Sequence, residues 1–303
     1  MTSHPGGTAS ALAQRGRLMV KRGNVLPAPW WSLTKTAIAA AALVLVERGD
    51  LELDAPLASA PYTLRQLLQH SSGLPDYGGM AAYHDAVARG DEPWSDTDLL
   101  SRVRAHELRT PPGERFAYSN VGYLLVRRTV ESTTGLALDV ALRDLVFGPL
   151  GVPAVALART PADLEQTAWG NARRYHPGWV CHGLAVGSVA QAALFVGRLL
   201  TGGLLGEALL AAMTERFPVH HAPLPGRPWV KPGYGLGLMV DLDTPLGRAY
   251  GHTGGGPGST AAAYYFPDLD PPRAVAVLSC SEDAGAIEHA VFDLALSGGQ
   301  ASM

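Results

Sequence analysis

Residues Ser32 to Arg48 read SLTKTAIAAAALVLVER, and this run predicts the central helix of the protein. Its middle, Ala37 to Val46, is apolar on every face, and a helix of that kind is buried on every face. Gly49 supplies the residue type at which such a helix commonly ends. We therefore expect Ser32 to open a helix that lies inside the molecule.

The composition indicates a globular chain. It has 303 residues, a formal net charge of −3, and 47% hydrophobic against 17% charged residues. The absence of a basic run argues against nucleic acid as a partner. The longest apolar run, Ala37 to Val46, is shorter than the roughly 20 residues that cross a bilayer, so no membrane span is predicted. No signal peptide is visible, so we expect a cytoplasmic protein. The sequence leaves the oligomeric state open.

The metal-ligating residue types form no recognisable site. Cys181 and Cys280 are the only cysteines, and they make neither a CxxC pair nor a zinc signature. We expect both to be small buried hydrophobic residues. His182 and the pair His220-His221 show no metal spacing, and His70 is interpreted as a structural hydrogen-bonding residue at a helix end. No cofactor and no metal is predicted.

Strand patterns flank a mostly helical middle. Residues 8–22 predict a hairpin that turns at Arg15-Gly16. The helices predicted after it are a short one that begins at the capping box of Thr63, then Asp96–His106, Asn120–Thr133, Leu136–Val146, Ser188–Leu200 and Leu204–Arg216. The predicted C-terminal elements are the strands Tyr234–Val240, Ala249–His252, Ala261–Phe266 and Arg273–Cys280, and a helix over Asp283–Leu296.

This order predicts an α+β fold with one discontinuous domain. Residues 1–57 and 217–303 would share an antiparallel sheet flanked by helices, and residues 58–216 would form an inserted all-helical domain.

Three segments carry candidate chemistry. Ser32 and Lys35 lie three residues apart on a helix, so the amine can reach the hydroxyl, and a desolvated lysine can act as the base that serine needs. Tyr118 can relay a proton if a nearby cation lowers its pKa, and Asn120 can bind a carbonyl, although Asn120 can equally cap its helix and Tyr118 can be packing. The glycine-rich stretch after Gly251 allows close backbone approach; a phosphate loop is disfavoured because GxxxxGK[ST] is absent, and a plain turn remains an alternative.

In this order the three segments resemble the serine β-lactamase and penicillin-binding protein superfamily. The nearest branch is the class C β-lactamase-like serine hydrolases, which include D-alanyl-D-alanine carboxypeptidases, D-amino-acid peptidases and esterases. The supporting stretches are Leu53-Asp54-Ala55-Pro56-Leu57, His70-Ser71-Ser72-Gly73-Leu74-Pro75, the run from Pro112 to Tyr123, Phe147-Gly148-Pro149-Leu150-Gly151 and Tyr234-Gly235-Leu236-Gly237. The resemblance covers about residues 8–295.

The resemblance implies a role for each matching residue. Ser32 would be the nucleophile, Lys35 its base, and Tyr118 a partner in proton transfer. The backbone N–H groups of Ser32 and Gly255 would form the oxyanion hole. The residues implied to bind a small-molecule or peptide substrate are Asn120, His252, Thr253 and Gly254.

The resemblance also ranks the reactions. Class C β-lactamases have lysine at the position of His252, and a neutral imidazole attracts a carboxylate less than an ammonium does. An esterase or D-peptide hydrolase is therefore favoured over a true β-lactamase. Trp30 and Trp31 lie directly before the nucleophile and either wall an acyl pocket or cover the core. If they block the cleft, the protein would be a catalytically silent binding or regulatory homologue.

Overall fold

A computed structural model describes residues 7–24, 26–57, 60–171, 174–219 and 224–298. The strands are β1 Thr8–Gln14, β2 Arg17–Arg22, β3 Ala28–Pro29, β4 Ala156–Ala158, β5 Leu184–Gly187, β6 Phe217–Pro218, β7 Pro232–Tyr234, β8 Met239–Thr244, β9 Gly247–Gly256, β10 Ser259–Phe266 and β11 Arg273–Ser279. The helices are α1 Thr34–Arg48, α2 Leu64–Leu68, α3 Ala81–Arg89, α4 Asp96–Arg102, α5 Asn120–Thr134, α6 Leu138–Leu142, α7 Pro161–Glu165, α8 Val189–Leu200, α9 Glu207–Thr214 and α10 Ala284–Ser297.

One eight-stranded antiparallel sheet joins the two ends of the chain. Its strand order is β2-β1-β11-β10-β9-β8-β7-β6. The predicted N-terminal hairpin is present, and β1 pairs with β11 from Thr8 opposite Ser279 to Gln14 opposite Arg273. This pairing confirms the expected sheet between the N-terminal hairpin and the C-terminal strands.

Side-chain size differs between the two faces of the sheet. On β10, Ala262, Tyr264 and Phe266 pack toward α10, whereas Ala261 and Ala263 face the opposite core, which contains α8. Successive strand residues point to opposite faces, so the alternation follows from the pleat. Small residues on the α8 side let that helix lie close to the sheet.

The helix α1 is buried as predicted. Every residue from Thr34 to Leu45 is buried, including Lys35, and Gly49 ends the helix in the left-handed conformation with φ 81°. The helix packs against α5 and α6. Its first turn is preceded by a 3-10 turn over Trp31–Leu33. The buried core around α1 therefore fixes the position of Ser32.

Several element predictions differ from the structure. The predicted strand Tyr234–Val240 is instead two strands, β7 and β8, because the chain turns through Gly237, whose φ of 80° suits glycine. The second half of the predicted helix Leu136–Val146 is a π-helical turn, Arg143–Phe147. The small sheet β3-β5-β4 was not expected. Cys280 is exposed, which corrects its predicted burial, whereas Cys181 is buried.

A helix from the predicted helical domain packs directly on the sheet of the other predicted domain. The helix α8 packs against β1, β10 and β11, although it lies within residues 58–216. The division into residues 1–57 with 217–303 and residues 58–216 therefore stays a prediction. Across the part of the chain that is described, none of the helices combines the length and apolar character that a bilayer crossing requires.

Candidate active site

Ser32 lies on a strained turn at the start of α1. Its side chain is half-buried, and the preceding residue, Trp31, has a φ of 46°. A bulky residue in the left-handed region costs about 1–3 kcal/mol and persists only where its surroundings hold it. Here the Trp31 indole donates to Ser259 Oγ at 2.9 Å and contacts the ring of Tyr175. These contacts hold the backbone in the conformation that presents Ser32.

Lys35 and Tyr118 both reach the hydroxyl of Ser32. The distance from Lys35 Nζ to Ser32 Oγ is 3.1 Å, and Tyr118 OH donates to the same oxygen at 3.0 Å. Burial lowers the pKa of Lys35 to about 7, despite nearby Cys181 and Asp76 that favour its charged form. The predicted base is therefore uncharged in a large fraction of molecules near neutral pH.

Tyr118 does not meet the condition under which a proton relay was considered for it, a pKa lowered by a nearby cation. Burial is the largest effect and raises the pKa of Tyr118 above its usual value. The phenol therefore stays protonated and donates to Ser32. Its ring contacts that of His70, with ring centroids 4.1 Å apart and the ring planes inclined by 35°. His70 Nδ1 accepts from the backbone N–H of Ser119 at 3.1 Å, which agrees with the structural role expected of it.

Asn120 joins the same cluster through its amide. Its Oδ1 accepts from Lys35 Nζ at 2.8 Å, and its Nδ2 donates to Asp76 Oδ2 at 3.2 Å. Asp76 Oδ1 also accepts from the backbone N–H of Asn120 at 2.7 Å. Ser119, not Asn120, caps α5 through its side chain. The amide is thus held in one orientation beside the lysine.

Two residues of the cluster were missed from sequence. Asp76 orients Asn120, and His182 Nε2 lies 3.2 Å from Lys35 Nζ. His182 was considered only as a possible metal ligand, and a single histidine that pairs with a lysine has no characteristic spacing in the sequence. No local pattern in the sequence marks either residue.

The strand β9 lies directly against the turn that carries Ser32. A Cβ placed on Gly254 would lie 2.3 Å from the backbone nitrogen of Ser32 and 2.7 Å from the carbonyl oxygen of Trp30. Only glycine permits this approach. The next residue, Gly255, is exposed to the same cavity as Ser32. The structure therefore brings together the two residues predicted to supply the oxyanion hole.

His252 and Thr253 lie away from the cavity that was expected to contain them. His252 is fully buried, with Nε2 2.8 Å from Tyr234 OH and Nδ1 2.8 Å from the backbone oxygen of Thr253. Burial, and secondarily the charge of Lys35, lowers the pKa of His252 to about 3. Thr253 faces α10, where its hydroxyl donates to Glu288 at 2.5 Å. Alternating side chains along β9 place these groups on opposite, buried faces, so their substrate-binding role stays a prediction.

A cavity of about 290 Å³ opens above Ser32. Five of its thirteen described lining residues are tryptophan or tyrosine, and none of the thirteen is aspartate, glutamate, lysine or arginine. Trp31 forms part of the wall, whereas Trp30 packs in the core against Phe147 and Phe195. Of the two roles considered for the pair, Trp31 therefore has that of a pocket wall and Trp30 that of covering the core. The lining residues are Trp31, Ser32, Tyr77, Gly78, Tyr83, Tyr118, Asn120, Tyr175, Val180, His182, Gly255, Gly256 and Pro257.

An antiparallel sheet with helices on both faces, and a Ser-x-x-Lys helix facing Tyr-x-Asn, defines a protein of the β-lactamase and transpeptidase-like fold. The chain belongs to the Beta-lactamase family, whose sequence model matches residues 7–297.

Solved structures of similar fold span nearly the whole chain. A D-stereospecific amidohydrolase from Streptomyces is 26% identical with a TM-score of 0.78, covering 95% of this chain and 94% of its own. D-amino acid amidase from Ochrobactrum anthropi SV3 is 23% identical with a TM-score of 0.78, covering 97% and 96%. At 23% identity, the similarity to the amidase shows only that the two proteins share a fold.

Curated relatives match over shorter segments. D-aminopeptidase of Cereibacter sphaeroides is 34% identical over 105 residues, which are 33% of this chain and 20% of that protein. Esterase EstB of Burkholderia gladioli is 34% identical over 141 residues, 40% of this chain and 36% of that protein. The matched segments thus cover between a fifth and about a third of these relatives.

Proposed function

We propose that this protein is a serine hydrolase that cleaves ester or amide bonds through an acyl-enzyme on Ser32. One observation carries the proposal: Lys35 Nζ and Tyr118 OH both lie within hydrogen-bonding distance of Ser32 Oγ at the floor of a cavity. Serine becomes a strong nucleophile when a neighbouring base takes its proton. The lowered pKa of Lys35, about 7, suits that task.

The acylation step follows from these contacts. Lys35 Nζ takes the proton of Ser32 Oγ while that oxygen bonds to the substrate carbonyl carbon. The backbone N–H groups of Ser32 and Gly255 donate to the oxyanion that forms. Tyr118, a neutral phenol, gives its proton to the leaving group and regains one from Lys35.

Deacylation uses the same groups in the reverse sense. Lys35, again a neutral amine, takes a proton from a water molecule as the water attacks the acyl carbonyl, while Tyr118 stays protonated. The proton then returns to Ser32 Oγ when the acyl bond breaks, and the free acid leaves. The enzyme ends each cycle in the protonation state in which it began.

The cavity favours substrates that carry no charge near the scissile bond. Its described lining holds no charged side chain to pair with a substrate carboxylate or ammonium group, and burying an unpaired charge is costly. The buried, neutral His252 cannot supply that charge. We therefore rank neutral esters and amides above D-alanyl-D-alanine peptides, free D-aminoacyl peptides and β-lactams, although the curated relatives include a D-aminopeptidase.

Covalent labelling tests the nucleophile. After treatment with a fluorophosphonate, mass spectrometry of the digested protein is expected to locate the adduct on Ser32, and Ser32→Ala is expected to take no label. Penicillin serves as a second acylating reagent. Absence of any adduct on Ser32 with both reagents would disprove the proposal and would favour a silent binding homologue, which the open cavity argues against.

Substrate rates test the charge argument. A short-chain p-nitrophenyl ester is expected to be cleaved faster than a D-Ala-D-Ala peptide or a chromogenic cephalosporin, each measured as kcat/KM. A cephalosporin rate above the ester rate would instead identify a true β-lactamase.

A further inference from the structure

His182 is a buried histidine of the cluster that the proposed reaction does not use. It lies in the segment that leads into β5, and 2% of its surface is exposed. Its Nε2 is 3.2 Å from Lys35 Nζ. Its Nδ1 is buried and has no hydrogen-bond partner among the described residues. Lys35 is therefore the one side chain in the described structure to which this ring is hydrogen-bonded.

We propose that His182 is a positioning residue whose Nε2 accepts a hydrogen bond from Lys35 and so directs the lone pair of Lys35 at Ser32. The inference rests on the proposed function of the site. A neutral amine has two N–H bonds and one lone pair. Lys35 Nζ has three partners, which are Ser32 Oγ, Asn120 Oδ1 and His182 Nε2. If two partners accept, the lone pair faces the third.

Asn120 is fixed as one of the two acceptors. Its Nδ2 donates to a carboxylate oxygen of Asp76, which can only accept, so the amide oxygen is the atom that faces Lys35. The backbone N–H of Asn120 donates to the other oxygen of Asp76 and prevents the amide from turning over. One N–H of Lys35 is therefore committed to Asn120.

His182 is the second acceptor because the ammonium form of Lys35 can only donate to it. The tautomer of a neutral histidine is set by the partner of its ring nitrogens. Burial, and secondarily the charge of Lys35, lowers the pKa of His182 well below its usual value, so the ring is neutral. When Lys35 is protonated its ammonium can only donate, so Nε2 accepts from it and the proton of the neutral ring resides on Nδ1.

The remaining lone pair of Lys35 then faces Ser32. In the acylation step the proton moves from Ser32 Oγ to this lone pair as Oγ bonds to the carbonyl carbon. The resulting ammonium has three N–H bonds and three acceptors in place. Without His182 the amine could rotate and use Ser32 as an acceptor, which would point the lone pair away from the reacting proton.

Substitution at His182 tests the role in catalysis. His182→Leu removes the acceptor, and His182→Gln offers an amide oxygen in its place. The second-order rate of Ser32 labelling by a fluorophosphonate is expected to fall about 10- to 100-fold in His182→Leu and to recover largely in His182→Gln. His289→Leu, at an exposed position of α10, is the matched control and is expected to react at the wild-type rate.

The pH profile separates positioning from simple support of the fold. Loss of an acceptor destabilises the ammonium form more than the amine, so the acid limb of the labelling rate is expected to move about one unit lower in His182→Leu. The other groups facing Lys35 are unchanged in the comparison, namely Asp76, Cys181, Tyr118, Tyr123, His70 and His252. The proposal would be overturned if folded His182→Leu showed the wild-type labelling rate and the wild-type acid limb. It would also be overturned if His182→Leu and His182→Gln lost the same labelling rate while the acid limb stayed at its wild-type pH.

Nitrogen-15 NMR of histidine in the unmutated protein tests the tautomer directly. The His182 ring is expected to carry its proton on Nδ1, with Nε2 unprotonated; a proton on Nε2 would overturn the inference. This readout needs no variant to fold. Failure of Ser32 to take label in the wild type would instead contradict the proposed function, so the two failures are distinguishable.

Discussion

At the scale of single residues, Lys35 is the one lysine placed where arginine could not substitute for it. The chain has 24 basic residues, of which Lys21, Lys35 and Lys231 are the only lysines. Lys35 is fully buried with its pKa lowered to about 7, whereas Lys21 and Lys231 are exposed. A guanidinium remains protonated in proteins and so cannot take the proton of Ser32.

Lys35→Arg is therefore expected to lower kcat/KM on an ester by about a thousandfold, nearly as much as Lys35→Ala. Lys21→Arg and Lys231→Arg are the controls, and neither is expected to change kcat/KM measurably. Equal activity in all three arginine variants would exclude Lys35 as the base.

The activity of the wild type should rise with pH. As pH increases through about 7, Lys35 loses its proton and becomes able to act as a base, so kcat/KM is expected to show an acid limb near that value. His252, whose pKa is about 3, has already lost its proton below this range. Measuring kcat/KM on a neutral ester over a series of pH values locates this acid limb. A limb near pH 4 would assign the base to another group.

At the scale of elements, the approach of β9 to the turn at Ser32 depends on Gly254. A methyl group there would meet backbone atoms of Ser32 and Trp30 at 2.3 and 2.7 Å, and backbone cannot move aside as a flexible side chain can. Gly254→Ala is thus expected to separate β9 from the turn.

We expect Gly254→Ala to reduce kcat/KM about 100-fold and to destabilise the fold by about 1–3 kcal/mol. Ester hydrolysis and chemical denaturation measure the two effects. Gly79→Ala is the matched control, because a Cβ at Gly79 would have no atom within 4 Å. Full activity in Gly254→Ala would mean that the oxyanion site does not need this close approach.

The elements that sequence predicted well are those with a local signal. The helix α1 is a continuous apolar run ended by Gly49, and α5 and α8 begin at the side-chain caps Ser119 and Ser188. The sheet β3-β5-β4 was missed because its strands have two to four residues, too few for an alternation to show.

The site divides in the same way. Ser32 and Lys35 share one helical turn, so their contact follows from spacing. His182 reaches Lys35 across 147 positions of sequence, and only the packing of the segment before β5 brings it there. The positions of His252 and Thr253 depended on which face of β9 meets the cavity, and that register is set by pairing with β10.

At the scale of the whole molecule, the buried lysine links activity to stability. The pKa of Lys35 is about 7 in the folded protein and 10.5 when unperturbed, so between these values the unfolded chain binds the extra proton. Stability therefore rises with pH through this window. Below about pH 7 the folded protein carries a buried ammonium group, so the full free-energy cost of burying that charge lowers its stability.

The Tm of Lys35→Met, compared with that of wild type, is expected to be more favourable at pH 6 than at pH 10. The Tm difference between the two proteins is expected to change by about 2–4 °C or more between these pH values. Thermal unfolding followed by circular dichroism at both pH values measures this difference. Lys21→Met, at an exposed site, is the control and should give the same difference at each pH. A Tm difference for Lys35→Met that is independent of pH would contradict the lowered pKa.

The same scarcity of lysine has a practical consequence for attaching the protein to solid supports. Activated-ester coupling requires accessible amines, and of the three lysine side chains only Lys21 and Lys231 are exposed. Neither lines the cavity above Ser32. Coupling through these side chains would fix the molecule at β2 or at the residue that precedes β7, and would leave the residues that line the cavity unmodified.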